Sequence, residues 1–172
     1  MKSKIHELKS TIIIRVSKKI FLLVMLLLTA FIQQGFTQNI TSTDQLIHSY
    51  FAIKNALVAG NANTASVKAD EFVKTANGID YKVISQANIN DLLKDATAIS
   101  QSKDLKEQRL HFAALSPNMF AAAKVVKLST GPVYYAYCPM KKAYWLSSEA
   151  AIRNPYYGSA MLTCGKVTET LK

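Results

Sequence analysis

Between residues 44 and 128 apolar side chains return every third or fourth position, in four successive stretches. That period is the signature of helices that bury one face each, and it leaves little room for any other fold. Leu46, Tyr50, Ile53 and Leu57 form the first stripe, with Thr43 as its candidate cap and Gly60 as its stop. Asn63 or Thr64 restarts the chain, and Ala65, Ala69, Phe72, Val73 and Ala76 make a second stripe ended by Asn77-Gly78. Ile89, Leu92, Leu93, Ala96 and Ile99 form a third. The fourth begins near Lys103 and turns Leu105, Phe112, Leu115, Met119, Ala122 and Val126 inward. Ser116-Pro117 falls inside it, where a proline predicts a kink rather than a loop. Short connections favour antiparallel neighbours, so the spacing predicts an up-down four-helix bundle.

The pattern changes after Gly131-Pro132. Six of the eight tyrosines (residues 134, 135, 137, 144, 156 and 157) and the single tryptophan, Trp145, crowd into residues 133–157. Short strands are expected over residues 133–137 and 143–146, with a third over residues 161–168. Asn154-Pro155 and Gly158 mark the turns between them. The expected fold class is therefore mainly α (α+β): a four-helix antiparallel bundle with a small tyrosine-rich β segment at its C-terminal end.

Ahead of this domain runs a basic stretch and then residues 20–32, thirteen residues without a charge. That length suits the apolar region of a secretory signal and falls short of the roughly 20 residues that span a bilayer. Small residues at Gly35 and Thr37 point to cleavage after Thr37, giving a signal over residues 1–37 and one domain over residues 38–172. An uncleaved leader acting as a membrane anchor is the lesser alternative. In either case the body of the protein is expected outside the cytoplasm, soluble and periplasmic if cleavage occurs. The leader holds six of the 21 Lys and Arg residues and one of the 11 acids, so without it the net charge drops from +10 to +5 over 135 residues. Nucleic-acid binding loses its electrostatic ground.

Both cysteines lie in the last segment, Cys138 in Tyr-Cys-Pro-Met and Cys164 in Met-Leu-Thr-Cys-Gly. Met140 stands two residues after the first, Met161 three before the second. Thiolates and thioethers are soft donors that select Cu(I) or Ag(I) over hard cations, so Cys138, Cys164, Met161 and Met140 form a candidate metal set. His111, on the edge of the fourth stripe, is a candidate nitrogen ligand if the C-terminal segment folds back on the bundle. Its other reading is an edge histidine bonded to backbone. A Cys138–Cys164 disulfide explains the same residues in an oxidising compartment, with no metal at all. The aromatic cluster reads as core cover, and Arg109 and Glu107 as ion partners at the helix surface. No nucleophile elbow, phosphate loop or dinucleotide fingerprint occurs, so no catalytic residues are assigned, no substrate is identified, and an enzyme is the least supported class.

Several pieces together resemble a bacterial domain-of-unknown-function family, number 3347. They are Gln108-Arg109-x-His111-Phe112, Tyr137-Cys138-Pro139-Met140, Tyr144-Trp145-Leu146-Ser147, and Asn154-Pro155-Tyr156-Tyr157-Gly158-x-x-Met161-Leu162-x-Cys164-Gly165. The resemblance extends over roughly residues 43–171. It implies an exported domain of the kind that stands alone or is attached to periplasmic adaptor subunits of heavy-metal efflux systems. By that association the partner is a metal-efflux adaptor or another periplasmic metal carrier. Tyr-x-Cys-Pro-Met also looks like the start of the small heavy-metal-binding domain of such adaptors. Lys141-Lys142 stands here where that domain has His-Pro, and its second cysteine cluster is missing.

Overall fold

A computed structural model describes residues 42–172, so the expected leader and its cleavage point lie outside the described residues. Four helices come first: α1 (Ser42–Val58), α2 (Ala62–Asn77), α3 (Gln86–Gln101) and α4 (Leu105–Val125). Three strands follow, β1 (Val133–Cys138), β2 (Ala143–Ser147) and β3 (Lys166–Leu171), with a single 3-10 turn, Gly158–Met161, before the last. Among the described residues no helix is long and apolar enough to cross a membrane.

Each helix starts and stops for a local reason. Gly60, at φ +70, takes the left-handed position that closes α1, and the Gly60 and Asn61 amides donate back to Leu57 and Ala56. Asn61 then turns round to cap α2, its side chain accepting from Thr64 N at 3.0 Å. That is why α2 begins at Ala62, ahead of the expected Asn63 or Thr64. Ser85 caps α3, and Asp104 caps α4 by accepting from Lys106 N at 2.7 Å.

The apolar stripes meet as their spacing requires. Each helix packs on the next, and α4 returns to α1. Leu46, Tyr50, Ile53, Leu57, Phe72, Ile89, Leu92, Ile99, Phe112, Leu115 and Met119 are all fully buried. Val73, Leu93, Leu105 and Val126 sit at the margin of the core. Helix α4 runs through Pro117 without a loop. At that point Ser116 is buried, its hydroxyl 2.7 Å from Phe112 O and 2.7 Å from the Tyr50 hydroxyl. The proline therefore lies beside a polar contact between α4 and α1.

The sheet is antiparallel in the order β2-β1-β3. Tyr135 pairs with Leu146, Ala136 with Trp145 and Cys138 with Ala143, and β3 meets β1 across a bulge at Tyr135/Ala136. Tyr135 stacks on Phe120 of α4, centroids 3.7 Å apart, and on Tyr144 at 4.7 Å. Trp145 meets Tyr156 edge-on, and Tyr156 in turn approaches Phe112. Leu146 N donates to the Tyr50 hydroxyl at 3.1 Å, so α1 supports the sheet directly.

The third strand differs from expectation. Residues 161–165 were predicted as strand, but Met161 closes the 3-10 turn and pairing begins only at Lys166. The cause is a knot of hydrogen bonds around buried Asn154. Its backbone N donates to Leu162 O at 2.8 Å, and its carbonyl accepts from Gly158 N. Its side chain accepts from Tyr156 N and donates to Cys164 O, both at 2.8 Å. Those bonds curl residues 154–164 into a loop before the chain extends.

Candidate metal centre

Cys138 ends β1, and Cys164 leaves the Asn154 loop one residue before Gly165. The two sulfurs come within 3.8 Å across 26 positions of sequence. Both are free thiols; Cys138 is fully buried and Cys164 half-buried. Consecutive amides of the β1–β2 turn attend them. Lys141 N donates to Cys138 Sγ at 3.4 Å, and the Met140 amide lies close enough to Cys164 to favour its thiolate. Burial pushes the Cys164 thiol up, the neighbouring Cys138 adds to the rise, and the Met140 amide opposes it. A cation between the sulfurs would reverse that balance, because it favours thiolate at both.

Gly165 sets the approach. Its φ is +148, and a Cβ there would stand 2.7 Å from Trp145 Cη2 and 3.0 Å from Tyr137 O. Only a glycine lets the chain pass this close beneath the tryptophan while delivering Cys164 to the end of β1. Lys142, in the same β1–β2 turn as the amide donors, holds a positive φ of 54.

The separation of the sulfurs suits a shared ion. Two sulfurs at roughly 2.3 Å from one four-coordinate centre lie about 3.8 Å apart, whereas a disulfide requires about 2.05 Å. The Cys138 and Cys164 sulfurs stand at non-bonded contact, a spacing open both to a shared ion with a further donor and to closure into a disulfide. Met140, beside them in the turn, is 62% exposed, and Met161, whose carbonyl accepts from Cys164 N, is 40% exposed. Each thioether is thus on the chain next to the pair and free of the core.

His111 is placed otherwise. Its Nδ1 lies 3.3 Å from Asp95 Oδ1, which fastens α4 to α3. Among the described residues no three His, Cys, Asp or Glu side chains gather around a metal position. The structure thus brings together Cys138 and Cys164, with Met140 and Met161 on the flanking turns, and gives His111 a carboxylate partner instead.

Two residues that hold the site were not assigned that role from the sequence. Arg109, expected as a surface ion partner, donates to Pro155 O at 2.9 Å and to Leu57 O at 3.1 Å. It ties α4 to the last turn of α1 and to the loop bearing Cys164, with carbonyls rather than acids as partners. By sequence pattern Asn154 is only a turn marker. Its signal was present, since Asn followed by Pro is the pattern of a side chain that folds back on its own backbone.

A four-helix bundle carrying a three-stranded sheet, with a thiol pair where sheet and loop meet, defines the class. The chain belongs to the family described as protein of unknown function DUF3347, which matches residues 46–131. That span covers the helices, and the sheet with both cysteines follows it. No curated protein matches the chain, and no solved structure does.

Proposed function

We propose that this chain is an exported, non-catalytic carrier of a soft metal ion, Cu(I) first, with Ag(I) as its chemical equivalent. Cys138 and Cys164 act as thiolate ligands, Met161 and Met140 supply a thioether, and the metal passes on by ligand exchange. The supporting observation is the meeting of the two sulfurs at 3.8 Å with a backbone amide directed to each. Hydrogen bonds to ligand sulfur orient thiolates and moderate their charge, which suits a metal held by only two anions. The half-buried position of Cys164 suits exchange with another protein, since an acceptor ligand can reach the ion without unfolding the domain. A periplasmic setting in heavy-metal handling, with an efflux adaptor or another carrier as recipient, is the part of this reading that draws on the apolar leader sequence and the family resemblance.

The test is a competition titration of the reduced protein with Cu(I) against a chromophoric Cu(I) chelator. Wild type should withdraw one equivalent per chain, and the Cys138→Ser/Cys164→Ser variant should withdraw none while its helical circular dichroism stays intact. Met161→Ala and Met140→Ala should each weaken retention without abolishing it. Undiminished binding by the double-serine variant would overturn the assignment.

A further inference from the structure

The two sulfurs are neighbours but not equals. Cys138 Sγ belongs to a fully buried residue at the end of a central strand, in line with buried Ala136 and beside Ala143 and Trp145. Cys164 is half-buried at the mouth of a loop, between exposed Thr163 and the turn that carries exposed Met140. Thiol–disulfide exchange needs the attacking sulfur to line up with both sulfurs of the reagent, and this demands open space on one side. Cys164 has that space and Cys138 does not. Once Cys164 carries a substituent, the Cys138 sulfur 3.8 Å away is the thiol placed to attack it.

We infer that Cys164 is a thiol-modification site, the point at which a disulfide reagent joins the chain, and that Cys138 is the resolving thiol. The Cys164 thiol attacks the reagent RSSR, forms a Cys164–S–SR mixed disulfide and releases one RSH. The Cys138 thiol then attacks the Cys164 sulfur, forms the Cys138–Cys164 bond and releases the second RSH. Two protein thiols are oxidised, one RSSR is reduced to two RSH, and the two protons leave on the released thiols. The reagent class is a low-molecular-weight or protein disulfide of an oxidising compartment. The bridge removes both anionic donors at once, so oxidation expels a bound soft metal; this consequence alone rests on the metal-carrier reading.

The experiment exposes the reduced, metal-free chain to oxidised glutathione and follows intact mass after acid quench. Wild type should pass through a single glutathione adduct and finish two hydrogens lighter with no adduct. Cys138→Ser should stop at one stable adduct, and Cys164→Ser should react at least tenfold more slowly. In denaturant both variants should react alike, which assigns the difference to the fold. Because a variant can lose its fold, the early wild-type adduct is also located by peptide mapping, and it should lie on Cys164. A first adduct on Cys138, or equal rates for the two folded variants, overturns the inference. The same reaction on Cu(I)-loaded wild type separates the two readings. Unslowed exchange with Cys164 still modified first counts against the metal and leaves the order of attack standing.

Discussion

Tyr50 shows how one side chain joins the bundle to the sheet. Its hydroxyl lies fully buried, 2.7 Å from Ser116 Oγ on α4, and accepts from Leu146 N of β2 at 3.1 Å. Tyr50→Phe keeps the ring stacked on Phe112 and leaves the Leu146 amide without its partner. The expected loss is about 1–3 kcal/mol, read from denaturant unfolding. Lys54, one turn on, is 2% exposed, and its side chain makes a long hydrogen bond of 3.4 Å to Ser147 Oγ. Burial holds its ammonium below the usual lysine range, with Glu149 opposing and Arg153 reinforcing the shift. The unfolded chain therefore binds this proton more readily, and Lys54 weighs against folding until pH rises towards 10.5. Lys54→Met should stabilise the protein at neutral pH, with a gain that shrinks as unfolding is measured at higher pH. Gly165 acts at the site itself. Gly165→Ala forces a Cβ into Trp145 and the Tyr137 carbonyl at a φ unsuited to alanine, at a cost of about 1–3 kcal/mol. Displacing Cys164 should also weaken Cu(I) retention in the competition titration.

At the scale of elements, the four helices were legible because each repeats its apolar residues at helical period. Their ends shifted by a residue or two where several capping residues stand close together, as with Asn61, Asn63 and Thr64. The start of β3 was not legible. Its apparent strand from residue 161 has suitable residues, yet the buried side chain of Asn154 draws Tyr156 N and Cys164 O into a loop instead. The two cysteines could be named from the sequence, but their approach depends on sheet register and on that loop, which periodicity does not encode. His111 was legible as an edge histidine, and its partner proved to be Asp95 rather than backbone. Arg109 was misread because its acceptors are carbonyls, which leave no trace in charge patterning. Asn154→Ala should cost on the order of 3 kcal/mol by stranding those two backbone groups. Cys164 should become reactive to thiol reagents sooner than the helices melt, as seen by parallel labelling and circular dichroism.

For the whole molecule, the response to alkali follows from three tyrosines and one lysine. Burial raises Tyr50 and Tyr156 well above 10, and burial together with Tyr144 and Glu169 pushes Tyr135 up to about 12. The native protein keeps these protons above pH 10, where the unfolded chain loses them, so their contribution is complete below pH 10 and declines above it. Lys54 pulls the other way, over a window ending near 10.5. Three groups outweigh one, and the melting temperature should fall steadily from pH 10 to 12. The thiol pair is the proposed working centre of the domain. The most direct test is the intact mass of the protein recovered without air from the cells that make it, sprayed first under native and then under denaturing conditions. Full-mass thiols carrying one copper, lost on denaturation and absent from the Cys138→Ser/Cys164→Ser variant, are the predicted result. A chain two hydrogens lighter with no adduct, in every preparation, would contradict it and leave the cysteines as a structural bridge.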